Sequence, residues 1–188
     1  MKKQKRVNPH RVPVSRELID EDRLIEEASV GNLYYAWLLL LPSLFDFEGM
    51  TNARIAEIWD AINEYVSISR LESSADMKRA ETLTGMKQPH HSISLEQVRT
   101  MGGLQTAMRK LRENAIFSAL CLICLGLDSM KLLGSDEIRK LFLNADITIA
   151  EIQKGCNSYS AISDSLKTRG ITISDSSDDT LAVIFEDR

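Results

Sequence analysis

The sequence predicts a mainly α-helical protein made of two similar helical halves, with a small C-terminal β-hairpin or strand. Three observations lead there. Apolar residues make up 44% of the chain and aromatics only 6%; Leu, Ile, Ala and Met are many, a mix that suits helix packing better than a β-sandwich. Four prolines and nine glycines punctuate 188 residues, which leaves room for long helices. One apolar run also occurs twice, as Leu33 to Phe45 and as Ala115 to Leu127. Each copy follows an asparagine, Asn32 or Asn114, and precedes an aspartate, Asp46 or Asp128.

The elements follow in order. Residues 1–13 read as a flexible basic arm, because Pro9 and Pro13 bias their predecessors toward extended backbone. A helix is expected from about Ser15, an N-cap, with acids in its first turns near the positive end of the dipole. Leu18, Leu24, Ile25, Ala28 and Val30 give it an apolar stripe, and Gly31 interrupts or bends it. The first apolar run should pass through Pro42 with a kink rather than stop there. Asp46 to Asn52 reads as a turn. Ile55, Ile58, Trp59, Ile62, Tyr65 and Val66 then form one face of a second helix. A shorter helix from about Ser74 to Leu83 should end at Gly85, a C-cap candidate.

The second half opens on an S-x-x-Q capping box, Ser94 and Gln97, and Gly102-Gly103 is a candidate break in the helix it starts. Met108, Leu111, Ala115 and the second apolar run continue that helix, and Asp128 to Gly134 makes a turn. Ile138, Leu141, Phe142, Ala145 and Ile149 form the next face. Ile162 and Leu166 belong to a last short helix that Gly170 caps. Ile171 to Ile173 and Leu181 to Phe185 are β-type runs, read as a hairpin or edge strand, with disorder as the alternative. The expected organisation is therefore arm 1–13, repeat 14–85, linker 86–92, repeat 93–170 and acidic tail 171–188. An internal duplication accounts for the matching order and spacing, and two amphipathic hairpins alike by chance are the alternative. If duplicated, the chain is a fused homodimer with an approximate two-fold axis.

Charge narrows the function. A net charge of -4 argues against wholesale binding to phosphate, yet the charge is lopsided. Lys2, Lys3, Lys5, Arg6, Arg11 and Arg16 precede the first acid, Glu17; then Glu17, Asp20, Glu21, Asp22, Glu26 and Glu27 crowd together. Lys2, Lys3, Lys5, Arg6 and Arg11 are the candidates to touch a nucleic acid or a partner, against a solvated terminus. Glu17, Asp20, Glu21 and Asp22 are the candidate acidic partner contacts. No apolar run follows the basic start, so no signal peptide is expected, and the two apolar runs fall short of the roughly 20 residues of a membrane span. Cys121, Cys124 and Cys156 are an odd set with two members inside an apolar run, which suits a reducing cytoplasm.

The motifs of chemistry are few. Cys121-Leu-Ile-Cys124 is a C-x-x-C, but its place deep in an apolar helix favours packing over redox work or zinc. His90-His91 reads as a linker dipeptide, with no H-E-x-x-H, no G-x-S-x-G and no glycine-rich phosphate loop in the chain. Glu57, Asp60 and Glu64 form an acidic helix face, the best enzyme candidate: a magnesium-dependent nucleotide hydrolase would use such carboxylates, whereas a solvated face needs no explanation. Trp37 and Trp59 are read as core packing, with an exposed interface anchor as the alternative. No catalytic residue, metal or cofactor is assigned.

Asn8-Pro9-His10-Arg11-Val12-Pro13, Ser15 with its acidic helix, and the apolar run ending at Asp46-Phe47-Glu48-Gly49-Met50 resemble a group of small phage- and prophage-encoded helical proteins of Gram-positive bacteria. The resemblance covers about the first third of the chain, and this chain departs from it in having a second half. It implies an origin on a mobile element. Small accessory proteins of that origin often bind host or phage macromolecules, including components of bacterial immunity. The expectation is a non-enzymatic cytoplasmic binding protein, with an inhibitor of a host defence nuclease such as a CRISPR effector as the specific reading. The partner would be that nuclease or its nucleic-acid complex, with no membrane involved. The alternative is a nucleic-acid-binding accessory protein for replication, packaging or transcription that uses the basic arm.

Overall fold

A computed structural model describes residues 13, 31–68, 74–87, 98–175 and 181–185. The described residues form six helices and two strands: α1 Asn32–Leu44, α2 Asn52–Ile68, α3 Ser74–Thr84, α4 Met101–Ser129, α5 Ser135–Gln153, α6 Tyr159–Thr168, β1 Ile171–Asp175 and β2 Leu181–Phe185. The protein is thus mainly α with a C-terminal hairpin. The expected helix from Ser15, the Ser94–Gln97 box and His90-His91 lie outside the described residues.

By contact, the chain forms two compact units, each drawing on both halves of the sequence. One joins Met1–Asn32 to Pro89–Phe117; the other joins Leu33–Gln88 to Ser118–Arg188.

In the larger unit α1 is the central element. Ala36 to Leu41 are six consecutive buried residues, and at 100° per residue they take in every face of the helix. The helix continues through Pro42 to Leu44, as the sequence predicts. Thr51 opens α2, its hydroxyl accepting the Arg54 N–H at 3.2 Å. Ile55, Ile58, Trp59 and Ile62 form the buried face of α2 at spacings of three and four. Trp59 meets Trp37 of α1 at 4.6 Å between ring centroids. Both tryptophans are core residues, not exposed anchors.

Helix α3 ends at Gly85, whose φ of +75° needs no Cβ to be accommodated. Just beyond it Met86 is buried, and its N–H reaches the Thr84 hydroxyl at 3.1 Å. Helix α3 packs on α5, which buries Ile138, Leu141, Phe142 and Ala145. The Glu137 carboxylate caps α5 by accepting the Gly134 N–H at 2.7 Å. In α6, Ser158 caps the start at 3.2 Å from the Ala161 N–H, and Ile162 and Leu166 face inward. The chain then turns at Gly170 into β1, antiparallel to β2 with Ile171 opposite Phe185 and Ile173 opposite Val183. Ile171 and Ile173 are buried and Thr172 between them is half-buried, so the pleat turns one face inward.

In the smaller unit, α4 begins at Met101. Gly102-Gly103, the candidate break, occupy its first turn, and the helix runs unbroken from there to Ser129. In that first turn a glycine costs less than in the middle of the helix, and the Thr100 hydroxyl accepts the Gly103 N–H at 3.1 Å. Val98 and Ala107 form a small core, with Leu104, Met108 and Leu111 packed against it. Pro13 pairs with Thr100 in an isolated antiparallel bridge, just before the start of α4.

Candidate functional site

Two polar surfaces stand out, one in each unit. On α2, Glu57, Asp60 and Glu64 are exposed at i, i+3 and i+7, on the side of the helix away from Ile55, Ile58 and Ile62. Glu57 takes a 2.8 Å ion pair from Arg54, whereas Asp60 and Glu64 have no ion pair among the described residues. The three carboxylates spread along two helical turns and do not converge. Among the described residues no group of three or more potential metal ligands is drawn together.

The second surface is on α4. Gln105, Thr106, Arg109 and Arg112 are exposed along its first turns, opposite Leu104, Ala107, Met108 and Leu111. Arg109 is 72% exposed and reaches Glu113 only at 3.9 Å. Sequence reading alone did not single out Arg109 or Arg112. The signal was present, since arginines three apart face away from the apolar positions on either side. Lys2, Lys3, Lys5, Arg6 and Arg11, like Glu17, Asp20, Glu21 and Asp22, lie outside the described residues.

Charge divides sharply between the units. The smaller unit carries eleven Lys and Arg against eight Asp and Glu, a net +3. The larger carries twelve against nineteen, a net -7. The overall -4 conceals a basic body and an acidic one.

Cys121 and Cys124 lie in the core of the larger unit with their thiols free of any disulfide. Burial pushes the Cys121 thiol up to about 12, with Glu81 adding to it. Burial likewise raises Cys124 to about 12; Cys121 and Asp128 add to the rise and Arg79 opposes it. Thiols so held are neutral at physiological pH and poor nucleophiles, as a packing role requires. Cys156 is exposed.

An open depression at the α4–α5 turn, lined by Asp128, Lys131, Ser135 and Glu137, carries charges of both signs. Asp128 is held there by an ion pair from Arg79 of α3. No helix among the described residues is long and apolar enough to cross a membrane. No family model, curated protein or solved structure matches this chain.

Proposed function

We propose that this protein is a non-enzymatic macromolecule-binding accessory protein whose acidic unit engages a basic surface on a protein partner. The observation that carries this reading is the net -7 of the larger unit, with Asp60 and Glu64 displayed on α2. An acidic face of this kind complements the basic channel of a nuclease, where it accelerates encounter and sets specificity. With the resemblance to phage-encoded proteins, the specific reading is an inhibitor of a host defence nuclease of the CRISPR type, acting in the cytoplasm.

Cleavage of target DNA by purified RNA-guided nucleases from Gram-positive hosts tests it. Saturating protein should suppress cleavage by at least one such enzyme. Charge reversal by Asp60→Lys with Glu64→Lys should weaken inhibition roughly tenfold or more, because like charges then face each other. Full cleavage across the panel, or inhibition indifferent to the reversal, would overturn the reading.

A further inference from the structure

The outer side of α5 is a helix face that its own unit leaves uncovered. Ala145 is fully buried, and the positions opposite it, to within about 20° at helical pitch, are 136, 143, 147 and 154. They carry Asp136, Leu143, Ile147 and Lys154, all exposed. With Lys140 and the half-buried Ala150 they alternate at spacings of four and three, the seam along which one helix seats against another. Leu143 is 55% exposed and Ile147 52%. An isolated exposed apolar side chain needs no explanation. These two are successive positions of one seam, in the middle of a helix of 19 residues, with Ala150 the next position along.

The charges at the two ends of the seam say what fits it. Asp136 and Lys154 have no ion pair among the described residues. Glu151 accepts a hydrogen bond of 3.3 Å from the Asn157 amide, and the Lys140 ammonium lies 5.4 Å from the centre of the Phe47 ring. In an antiparallel pair with a two-fold axis at the level of Ala145, positions equally far on either side of 145 face each other, and every contact occurs twice. Leu143 then meets Ile147 of the second copy, and Asp136 meets Lys154. Glu151 comes level with Lys140 on the same side of the seam. The other seatings lose this match. A parallel pair sets Asp136 against Asp136 and Lys154 against Lys154. An antiparallel pair slid until Ile147 meets Ile147 sets Lys140 against Lys154 and Leu143 against Glu151. Slid the other way, until Leu143 meets Leu143, it sets Arg139 against Ile147 and Asp136 against Ala150.

We infer that two copies of this chain associate through the outer face of α5, antiparallel, with Leu143 against Ile147 at the centre and Asp136 against Lys154 at both ends. The inference rests on α5 and is independent of the acidic surface of α2. The helix is roughly 28 Å long, and one helix face of that length falls at the low end of specific interfaces. The dimer is therefore reversible and forms as concentration rises.

Sedimentation velocity of the full chain from about 10 μM to about 1 mM reads the association. The expected result is a mass that rises reversibly from monomer toward dimer and goes no further, because a two-fold contact closes on itself. Leu143→Lys with Ile147→Lys should leave a monomer across the whole range. Asp136→Lys and Lys154→Glu, tested separately, should each weaken association about tenfold or more, since each sets like charges face to face twice. An equal mixture of those two variants should associate as the unaltered chain does, because every facing pair at the ends again joins opposite charges. Circular dichroism and the urea midpoint of each variant check that the fold persists. A chain that stays monomeric at the highest concentration would overturn the inference and leave the face to a partner of different sequence. Association that survives the Leu143 and Ile147 substitutions would also overturn it, by placing the interface elsewhere. Single charge variants that associate normally, or a mixture no tighter than its components, would overturn the antiparallel seating.

Discussion

Gly126 lies in α4 with Ile62 and Tyr65 of α2 against it. A Cβ added there would stand 2.8 Å from Ile62 Cδ1 and 2.9 Å from Tyr65 Cδ1. Two effects of Gly126→Ala oppose each other. Alanine favours a helix interior over glycine by about 0.8–1.0 kcal/mol. Overpacking a filled interior costs about 1–3 kcal/mol. Ile62 is fully buried, so its terminal methyl cannot move into solvent, whereas the half-buried Tyr65 ring has some freedom to pivot. The second effect wins, and a net destabilisation of about 1 kcal/mol is expected. Ile62→Val removes the methyl in question and alone costs about 0.5–1.5 kcal/mol. In that background Gly126→Ala should become neutral or stabilising, a coupling of about 1 kcal/mol. Urea unfolding followed by tryptophan fluorescence measures this cleanly, because Trp37 and Trp59 both belong to the unit that contains Gly126 and Ile62. Additive behaviour of the two substitutions, or stabilisation by Gly126→Ala alone, would refute the close approach.

The cysteines give two further predictions. Maleimide should label Cys156 in the native protein within minutes and reach Cys121 and Cys124 only under denaturant, as mass spectrometry of the digested protein would show; native labelling of either buried thiol would contradict its burial. The same thiols should make the protein alkali-sensitive. Their folded-state pKa of about 12 exceeds the ordinary thiol value, so above that ordinary value the unfolded chain has lost protons that the folded one keeps. Their contribution is fully present below about pH 8.5 and falls as pH rises toward 12, by up to about 1.4 kcal/mol per pH unit for each thiol. Cys121→Ser with Cys124→Ala should flatten the fall in urea midpoint across that window, whatever it does to stability at neutral pH.

Much of the fold was legible because helical periodicity is a local signal. Ile55, Ile58, Trp59 and Ile62 announce one buried face, and Ile138, Leu141, Phe142 and Ala145 another, wherever the rest of the chain goes. The run Ala36 to Leu41 is apolar on every side and is buried on every side. Gly85 and Gly170 end helices with φ of +75° and +80°, a role few other residues fill. Gly102-Gly103 was a candidate break because a glycine pair weakens a helix interior, and sequence alone does not fix where the helix begins; Gly102 and Gly103 lie in its first turn, where the Thr100 hydroxyl accepts the Gly103 N–H. Exposed Leu143 and Ile147, on the outer side of α5, also have no counterpart in the expected face. The candidate site was less legible. The basic unit joins residues 1–32 to 89–117, and neither stretch alone displays the net +3. Reading charge along the chain finds the basic arm but not Arg109 and Arg112, which belong to the same unit as that arm by contact and not by sequence.

The division of charge has a consequence for stability that does not depend on any partner. In the larger unit seven acidic charges lack a basic counterpart. Its ion pairs include Arg54–Glu57, Arg79–Asp128 and Lys167–Asp164, all with substantially exposed cations. Exposed pairs of that kind contribute about 0–1 kcal/mol each. Salt weakens both the pairs and the repulsion, but not equally. The pairs act over hydrogen-bond distances, no longer than roughly the 3 Å Debye length at 1 M, whereas repulsion among excess charges acts over the ~10 Å that governs at 0.1 M. Raising NaCl between those limits should therefore raise the urea midpoint read by tryptophan fluorescence, by an amount on the order of 1 kcal/mol. Asp60→Asn with Glu64→Gln should reduce that gain, because it removes two of the repelling charges and breaks none of the described pairs. A midpoint that falls with salt would mean that attraction outweighs repulsion in this unit, and that its acids are matched at short range despite the count.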